Sequence, residues 1–96
     1  MTHFIIYTED KPDSLDIRMA NRDAHLAWVR NDPNVELLSA GPWIDDAGDM
    51  RGSLLIVGAA DLQTVENWLS QDPYGLAGLT GMKRVREFKW LIGAPG

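Results

Sequence analysis

Cysteine is absent from this sequence of 96 residues, and its absence excludes several kinds of chemistry. Disulfide bonds, thiolate metal sites and a cysteine nucleophile all require that side chain. Histidine is scarce as well, because His3 and His25 are the only two in the chain. The acidic pair Asp45 and Asp46 has no histidine near it in the sequence, so we interpret it as part of an exposed turn. We therefore expect neither a metal ion nor an organic cofactor.

Basic residues and long apolar runs are also scarce. Lysine and arginine together number nine, against fourteen aspartates and glutamates, which gives a formal net charge of -5. A negative field of this kind repels phosphate backbones and acidic membrane surfaces. The apolar run near the amino terminus covers only residues 4–7, and no basic leader precedes it. We therefore expect a cytoplasmic protein that binds neither nucleic acid nor a membrane.

Tryptophan, by contrast, is abundant for so short a chain, with four residues in 96. A core of this size is thin, and so large an apolar load favours covering part of the surface with a second copy. No internal repeat, linker or low-complexity tract interrupts the chain. The sequence therefore predicts one globular domain over residues 1–96, assembled as a homodimer.

Four segments have the composition of strands and two have the pattern of helices. The strands are predicted at residues 2–9, 35–44, 53–59 and 82–92, and the helices run from Asp13 or Ser14 to about Asn31 and from Asp61 to about Gln71. In the first helix the predicted buried stripe is Leu15, Met19, Leu26 and Val29. In the last strand Phe88, Trp90 and Ile92 are predicted to share one face.

The resulting order, β-α-β-β-α-β, predicts a ferredoxin-like α+β fold. Two helices would then cover one face of a four-stranded antiparallel sheet, which leaves the other face without a cover. Packing two such sheets face to face is the simplest way to bury that second face. The topology therefore gives an independent reason to expect a homodimer.

His25 is the main candidate for proton transfer, because imidazole is easily poised for it near neutral pH. It follows Arg22 by three residues, so helical spacing puts the two side chains together beside the buried stripe. A simpler interpretation is a boundary histidine satisfied by a backbone carbonyl or water, with Arg22 extended along the helix surface. The sequence leaves both interpretations open.

Asp72, in the stretch "QDPYGLAG", is the second candidate. An acid at a helix C-terminus meets the negative end of the dipole, so another interaction should favour it there. Asp72 could serve as an N-cap with Pro73 at the first position of a further turn. Alternatively, the fold could bring it to His25, where a carboxylate would fix the tautomer and stabilise the imidazolium. Ser53 is the best hydroxyl candidate for orienting a substrate oxygen, although serine after glycine is common in turns.

Four motifs, "NRDAHLAWV", "LLSAGPW", "RGSLLIV" and "QDPYGLAGL", occur in an order and at separations that resemble the YCII-related family. The resemblance covers nearly the whole chain. It implies a ferredoxin-like α+β fold, dimers of the α/β-barrel kind, and a histidine and a D-P-Y aspartate acting as a catalytic or binding pair. By that resemblance His25 and Asp72 form the pair, and the accompanying residues are Arg22, Gly41, Pro42 and Ser53. Asp23 departs from the pattern, since the family commonly has proline there.

Within this family, lyase or dehydrochlorinase-like chemistry on hydroxylated rings has been assigned, and related dimeric barrels include isomerases. Our leading hypothesis is a small-molecule enzyme in which His25 is the general acid or base and Asp72 orients it. Arg22 and Ser53 would hold an anionic or carbonyl oxygen, and Trp43 or Tyr74 would form an aromatic wall. The alternatives are a module that binds a small ligand without turnover, and a purely structural role for both residues.

Overall fold

The computed structural model describes residues 1–95, which contain four strands and three helices. In chain order these are β1 (Thr2–Asp10), α1 (Leu15–Val29), β2 (Glu36–Ile44), β3 (Met50–Ala59), α2 (Leu62–Leu69), α3 (Pro73–Leu76) and β4 (Thr80–Glu87). The strands form one sheet in the order β2-β3-β1-β4, and every neighbouring pair is antiparallel. The predicted ferredoxin-like fold is confirmed, with α3 as a short addition before β4.

One face of the sheet is buried beneath the helices, and its character changes along the central strand. The buried residues of β1 are Phe4, Ile6, Thr8 and Asp10. Ser53 lies opposite Thr8 on β3 and is buried as well, whereas Leu55 and Val57 lie opposite the apolar end of β1. The helix-covered face is therefore apolar at one end and polar at the other, where the candidate site is found.

The predicted stripe of α1 is wrong in three of its four positions. Val29 is buried, but Leu15, Met19 and Leu26 are between 41% and 50% exposed. The buried residues of this helix are instead Arg18, His25 and Val29. The reason lies beneath the helix, since Arg18 finds hydrogen-bond partners on the polar end of the sheet that no leucine could use. The helix therefore directs a partly polar stripe inward.

The second predicted helix corresponds to α2, and the short helix α3 begins after its predicted end. Asp61 caps α2 by accepting a hydrogen bond from the Thr64 backbone N–H at 2.9 Å. The chain then turns at Ser70, and Asp72 caps the four-residue helix α3, with Pro73 at its first position. Among residues 1–95, no helix has both the length and the apolar character needed to cross a membrane.

The last strand is shorter than predicted, because β4 ends at Glu87. The Phe88 N–H still donates to the His3 carbonyl at 2.9 Å, but the ladder stops there. Glu87 already pairs with Phe4, so the residues that follow have almost none of β1 left to pair with. Trp90 packs instead against the His3 ring, with centroids 5.7 Å apart, and Ile92 is 91% exposed. The predicted alternation of Phe88, Trp90 and Ile92 in a strand is therefore wrong.

Candidate functional site

His25 and Asp72 lie together although 47 positions separate them in the sequence. The Nδ1 atom of His25, on α1, is 2.9 Å from Asp72 Oδ1, at the start of α3. An ionised carboxylate can only accept, so Nδ1 carries a hydrogen, and in the neutral imidazole Nε2 then keeps its lone pair. Both side chains are well buried, with 9% and 14% of their surface exposed. The geometry leaves one basic ring nitrogen available to a ligand.

The same carboxylate oxygen also caps α3. Asp72 Oδ1 accepts the Tyr74 backbone N–H at 3.0 Å, so the cap fixes the carboxylate before His25 contributes. The helix α3 in turn packs against α1, which brings its first residue to the imidazole. The capping interpretation and the pairing interpretation of Asp72 therefore describe one arrangement, in which a single oxygen serves both donors.

The ring of Tyr74 covers His25. Their centroids are 4.0 Å apart and the planes differ by 10°, while the Arg18 guanidinium carbon lies 4.7 Å from the Tyr74 centroid. Burial raises the pKa of the Tyr74 hydroxyl, and the nearby charge of Arg18 offsets part of that rise. The tyrosine therefore stays neutral at physiological pH, and its ring holds the imidazole in a fixed orientation.

Arg18 is a site residue that the sequence analysis missed. Its side chain is 4% exposed, and its Nε and Nη2 donate to the two carboxylate oxygens of Asp10 at 2.7 and 3.2 Å. Nη2 also donates to Ser53 Oγ at 2.9 Å. One signal was available, since Arg18 precedes His25 by seven residues, which is two helical turns and hence the same face. Arg22 and Val29 complete that stripe.

Ser53 is placed by the pairing of β3 with β1. Its backbone N–H donates to Thr8 Oγ1 at 3.0 Å, and its hydroxyl oxygen receives the hydrogen bond from Arg18. Residue pairs opposite each other in an antiparallel sheet point to the same face, so Thr8 and Ser53 both face α1. The predicted serine is thus buried on the helix side of the sheet, near His25.

A cavity of about 220 Å³ opens beside these groups. Its lining is Arg18, Arg22, His25, Leu26, Val29, Ala40, Gly41, Pro42, Met50, Ser53, Leu55 and Tyr74. Most of this lining is apolar, with polar groups contributed by the two arginines, His25 and Ser53. Within residues 1–95 the Arg22 guanidinium has no carboxylate within ion-pair distance, whereas Arg18 is neutralised by Asp10. The cavity therefore carries unbalanced positive charge at the side of Arg22.

Trp43 does not line this cavity, so its predicted role as a wall is wrong. It follows Pro42 in β2, and successive side chains of a strand point to opposite faces. The indole N–H donates to the Thr8 carbonyl at 2.8 Å, and the ring stacks on Tyr7 with centroids 5.9 Å apart. Trp43 therefore belongs to the face of the sheet that the helices do not cover.

Two other cavities help to locate the site. One of about 100 Å³ shares Ser53, Leu55 and Tyr74 with the first and is bordered by Asp72. Another, of about 420 Å³, lies beside Trp28 and Trp68 and includes neither His25 nor Asp72. Its polar lining consists largely of amide side chains, which are not proton-transfer groups at neutral pH. The cavity next to His25 is therefore the candidate active site.

Together these features define a small ferredoxin-like α+β domain in which a buried histidine, paired with a carboxylate, lines a compact cavity. The chain belongs to the YCII-related family, whose domain matches residues 2–89. Protein YciI of Escherichia coli O6:H1 is 36% identical over 94 residues, covering 90% of this chain and 95% of that protein. An uncharacterised protein of Haemophilus influenzae is 35% identical over 94 residues, covering 91% and 96% respectively.

Solved structures show similar folds. The 5-chloro-2-hydroxyhydroquinone dehydrochlorinase of Burkholderia phenoliruptrix AC1100, in complex with 2,5-dihydroxybenzoquinone, superposes with a TM-score of 0.80. It is 34% identical, and the match covers 91% of this chain and 93% of that one. An antibiotic biosynthesis monooxygenase, at 14% identity and a TM-score of 0.59, shares the fold over 93% of this chain and 97% of its own. The latter likeness concerns architecture alone.

Proposed function

We propose that this protein is an enzyme acting on a small hydroxylated ring compound by general acid–base catalysis with His25. The observation that carries the proposal is the 2.9 Å contact between His25 Nδ1 and Asp72, in which Nε2 takes no part, at a histidine that lines a cavity. Asp72 fixes the tautomer and stabilises the imidazolium that forms when Nε2 accepts a proton. A histidine and carboxylate without a nucleophile suit elimination or isomerisation better than hydrolysis.

In such a reaction His25 Nε2 takes a proton from the ring compound. The electron pair of the broken bond forms a new double bond, and a leaving group departs with its own pair. In an isomerisation, the imidazolium returns the proton at another position instead. Ser53 and Arg22 hold the substrate oxygen that gains negative charge, and Gly41 and Pro42 close the opposite wall of the cavity.

Two further observations support a small substrate. The cavity of about 220 Å³ lies below the roughly 300–1,000 Å³ of sites for drug-sized ligands, so it suits a single ring. The similar dehydrochlorinase acts, by its name, on a chlorinated hydroxyhydroquinone and was solved with a hydroxylated benzoquinone. We therefore extend dehydrochlorinase, lyase or isomerase chemistry to this chain as the leading class of reaction.

The proposal includes a homodimer. On the face of the sheet away from the helices, Tyr7 stacks on Trp43, and Leu54 is 47% exposed opposite Tyr7. Apolar and aromatic groups grouped on an uncovered sheet face favour burial against another protein surface. A second copy with the same face would bury it about a two-fold axis.

The test is turnover of 5-chloro-2-hydroxyhydroquinone, followed as chloride release and loss of the starting compound. We expect turnover by the wild type and a fall of at least about 100-fold in His25→Ala, because general acid–base groups contribute factors of that order. His3→Ala is the matched control, since His3 lies on the far side of the sheet and should leave the rate unchanged. Binding without turnover by the wild type, across a panel of hydroxylated rings, would favour a ligand-binding module instead.

A further inference from the structure

The hydroxyl of Ser53 has less freedom than a serine hydroxyl ordinarily has. It can donate one hydrogen bond and accept others, and an unconstrained hydroxyl rotates to suit whatever faces it. Here its oxygen receives a hydrogen bond from Arg18 Nη2 at 2.9 Å. A guanidinium has no acceptor, so this bond runs in one direction only. Ser53 must therefore keep its hydrogen on the side away from Arg18.

Arg18 cannot turn away from Ser53, because Asp10 holds it. The carboxylate accepts from Nε at 2.7 Å and from Nη2 at 3.2 Å, which is the two-point arrangement that fixes a guanidinium in its plane. Both side chains are 4% exposed, so water does not compete for these groups. The buried pair therefore acts as a rigid donor aimed at Ser53.

The remaining hydrogen of Ser53 is directed to a ligand. Among residues 1–95 Ser53 Oγ donates no side-chain hydrogen bond; it accepts from Arg18 Nη2, and the Ser53 N–H donates to Thr8 Oγ1. Ser53 nevertheless lines the cavity beside His25. A hydroxyl that accepts from a cation is also a stronger donor, because hydrogen bonds in a chain polarise one another.

We infer that the Asp10–Arg18 pair is a positioning device that makes Ser53 an obligate hydrogen-bond donor to the cavity. The inference rests on the proposed function of this cavity and narrows its substrate class. The ring compound must place a strong acceptor against Ser53, namely a carbonyl or an ionised oxygen. An oxygen of that kind beside the deprotonated position gains negative charge during proton transfer to His25, and a fixed donor stabilises it.

The experiment compares two probes of the same shape. These are 2,5-dihydroxybenzoquinone and its two-electron-reduced form, 1,2,4,5-tetrahydroxybenzene, in which both carbonyls are replaced by hydroxyls. Binding of each is measured anaerobically by titration calorimetry. We expect the wild type to bind the quinone at least about tenfold more tightly, the effect of one well-made hydrogen bond. Ser53→Ala should reduce that preference about tenfold, the remainder coming from Arg22, while Ser39→Ala, on the exposed edge strand, should retain it in full.

Arg18 is tested through the paired variant Asp10→Leu with Arg18→Met, because removing one charge alone would leave its partner buried and unpaired. With Arg18 gone, Ser53 can accept as well as donate, so the preference for the quinone should fall to that of Ser53→Ala. Adding Ser53→Ala to the pair should then change little further. Thermal unfolding of each variant establishes that it is folded at the titration temperature.

A folded paired variant that keeps the full preference would overturn the inference, as would a Ser53→Ala protein whose preference is undiminished. Different results of the same experiments decide the proposed function. Wild-type preference without turnover of any hydroxylated ring would contradict catalysis and leave the positioning of Ser53 supported. Turnover by the wild type with no difference in affinity between the probes would support catalysis and contradict the positioning of Ser53. Failure to bind either probe would contradict both proposals.

Discussion

Asp72 Oδ1 receives two hydrogen bonds that arise from different levels of structure. One comes from the Tyr74 backbone N–H and belongs to the first turn of α3, and the other comes from the His25 ring. The local bond needs only the sequence "DPY", whereas the second needs the packing of α3 on α1. A substitution that preserves the cap and removes the charge can therefore separate the two roles.

Asp72→Asn is that substitution. Asparagine caps a helix about as well as aspartate, so we expect the free energy of unfolding to change by less than about 0.5 kcal/mol. The neutral amide cannot stabilise an imidazolium, so turnover should fall by about 100-fold or more. Denaturant unfolding and initial rates measure the two effects. Asp61→Asn is the matched control at the N-cap of α2, and an equal loss of activity there would contradict the assignment.

The contact between His25 and Asp72 could be anticipated from the sequence because both residues carry local signals. Asp72 stands before a proline, and His25 stands at the edge of a helical pattern. Arg18 gave only its helical spacing from His25 as a signal, since an arginine in mid-helix is ordinarily exposed and its burial depends on Asp10, eight residues earlier. Buried polar pairs of this kind form through tertiary packing, and the spacing of apolar residues in the sequence does not predict them.

The helix α1 shows the same limit over a longer segment. Its two ends were predictable from the proline-containing polar turns on either side, to within about two residues of Leu15–Val29. Its inward face was not, because the apolar residues are offset by about one position from the Arg18, His25 and Val29 stripe. The sheet beneath the helix decides which stripe faces inward, because Asp10 and Ser53 accept hydrogen bonds from the buried Arg18.

Gly52 on β3 lies beneath the indole of Trp43 and against the backbone of β1, with no room for a side chain. A Cβ placed on Gly52 would overlap the Thr8 carbonyl oxygen and the indole of Trp43, which lies across this position to reach that carbonyl. We expect Gly52→Ala to destabilise the protein by about 1–3 kcal/mol, as measured by thermal unfolding, because the ring or the backbone must shift. Gly41→Ala has open space around its Cβ and serves as the control. Equal stability of the two variants would contradict this packing.

The N-cap of α2, Asp61, makes a pH-dependent contribution to folding stability. Hydrogen bonds from the Thr64 hydroxyl and backbone N–H lower the pKa of Asp61 from 3.8. The folded state therefore binds this proton less readily than the unfolded state, so the ionised cap adds stability above pH 3.8 and loses it as the pH falls through the lowered pKa. Because asparagine is a comparable cap, we expect the wild type to melt only slightly above Asp61→Asn at neutral pH, with the difference in melting temperature closing in acid. A difference independent of pH would contradict this account.

The whole molecule has two unequal sides. The helices bury one face of the sheet, while the other carries the stacked Tyr7 and Trp43 and the side chains of Ile5 and Leu54, with no element of residues 1–95 packed over it as a layer. The tryptophan content had suggested that a second copy covers part of the surface. Trp43 lies on this face and not in the cavity, so we expect the second copy to cover this face.

Leu54→Asp tests the location. Leu54 is 47% exposed at the centre of the open face, opposite Tyr7, so a carboxylate there would be buried without a partner in a face-to-face dimer. We expect the wild type to sediment as a dimer and Leu54→Asp to raise the dissociation constant at least about tenfold. Leu76→Asp is the control, because Leu76 is 71% exposed on α3, on the helix side. If Leu76→Asp dissociates the dimer and Leu54→Asp does not, the copies associate through their helices instead.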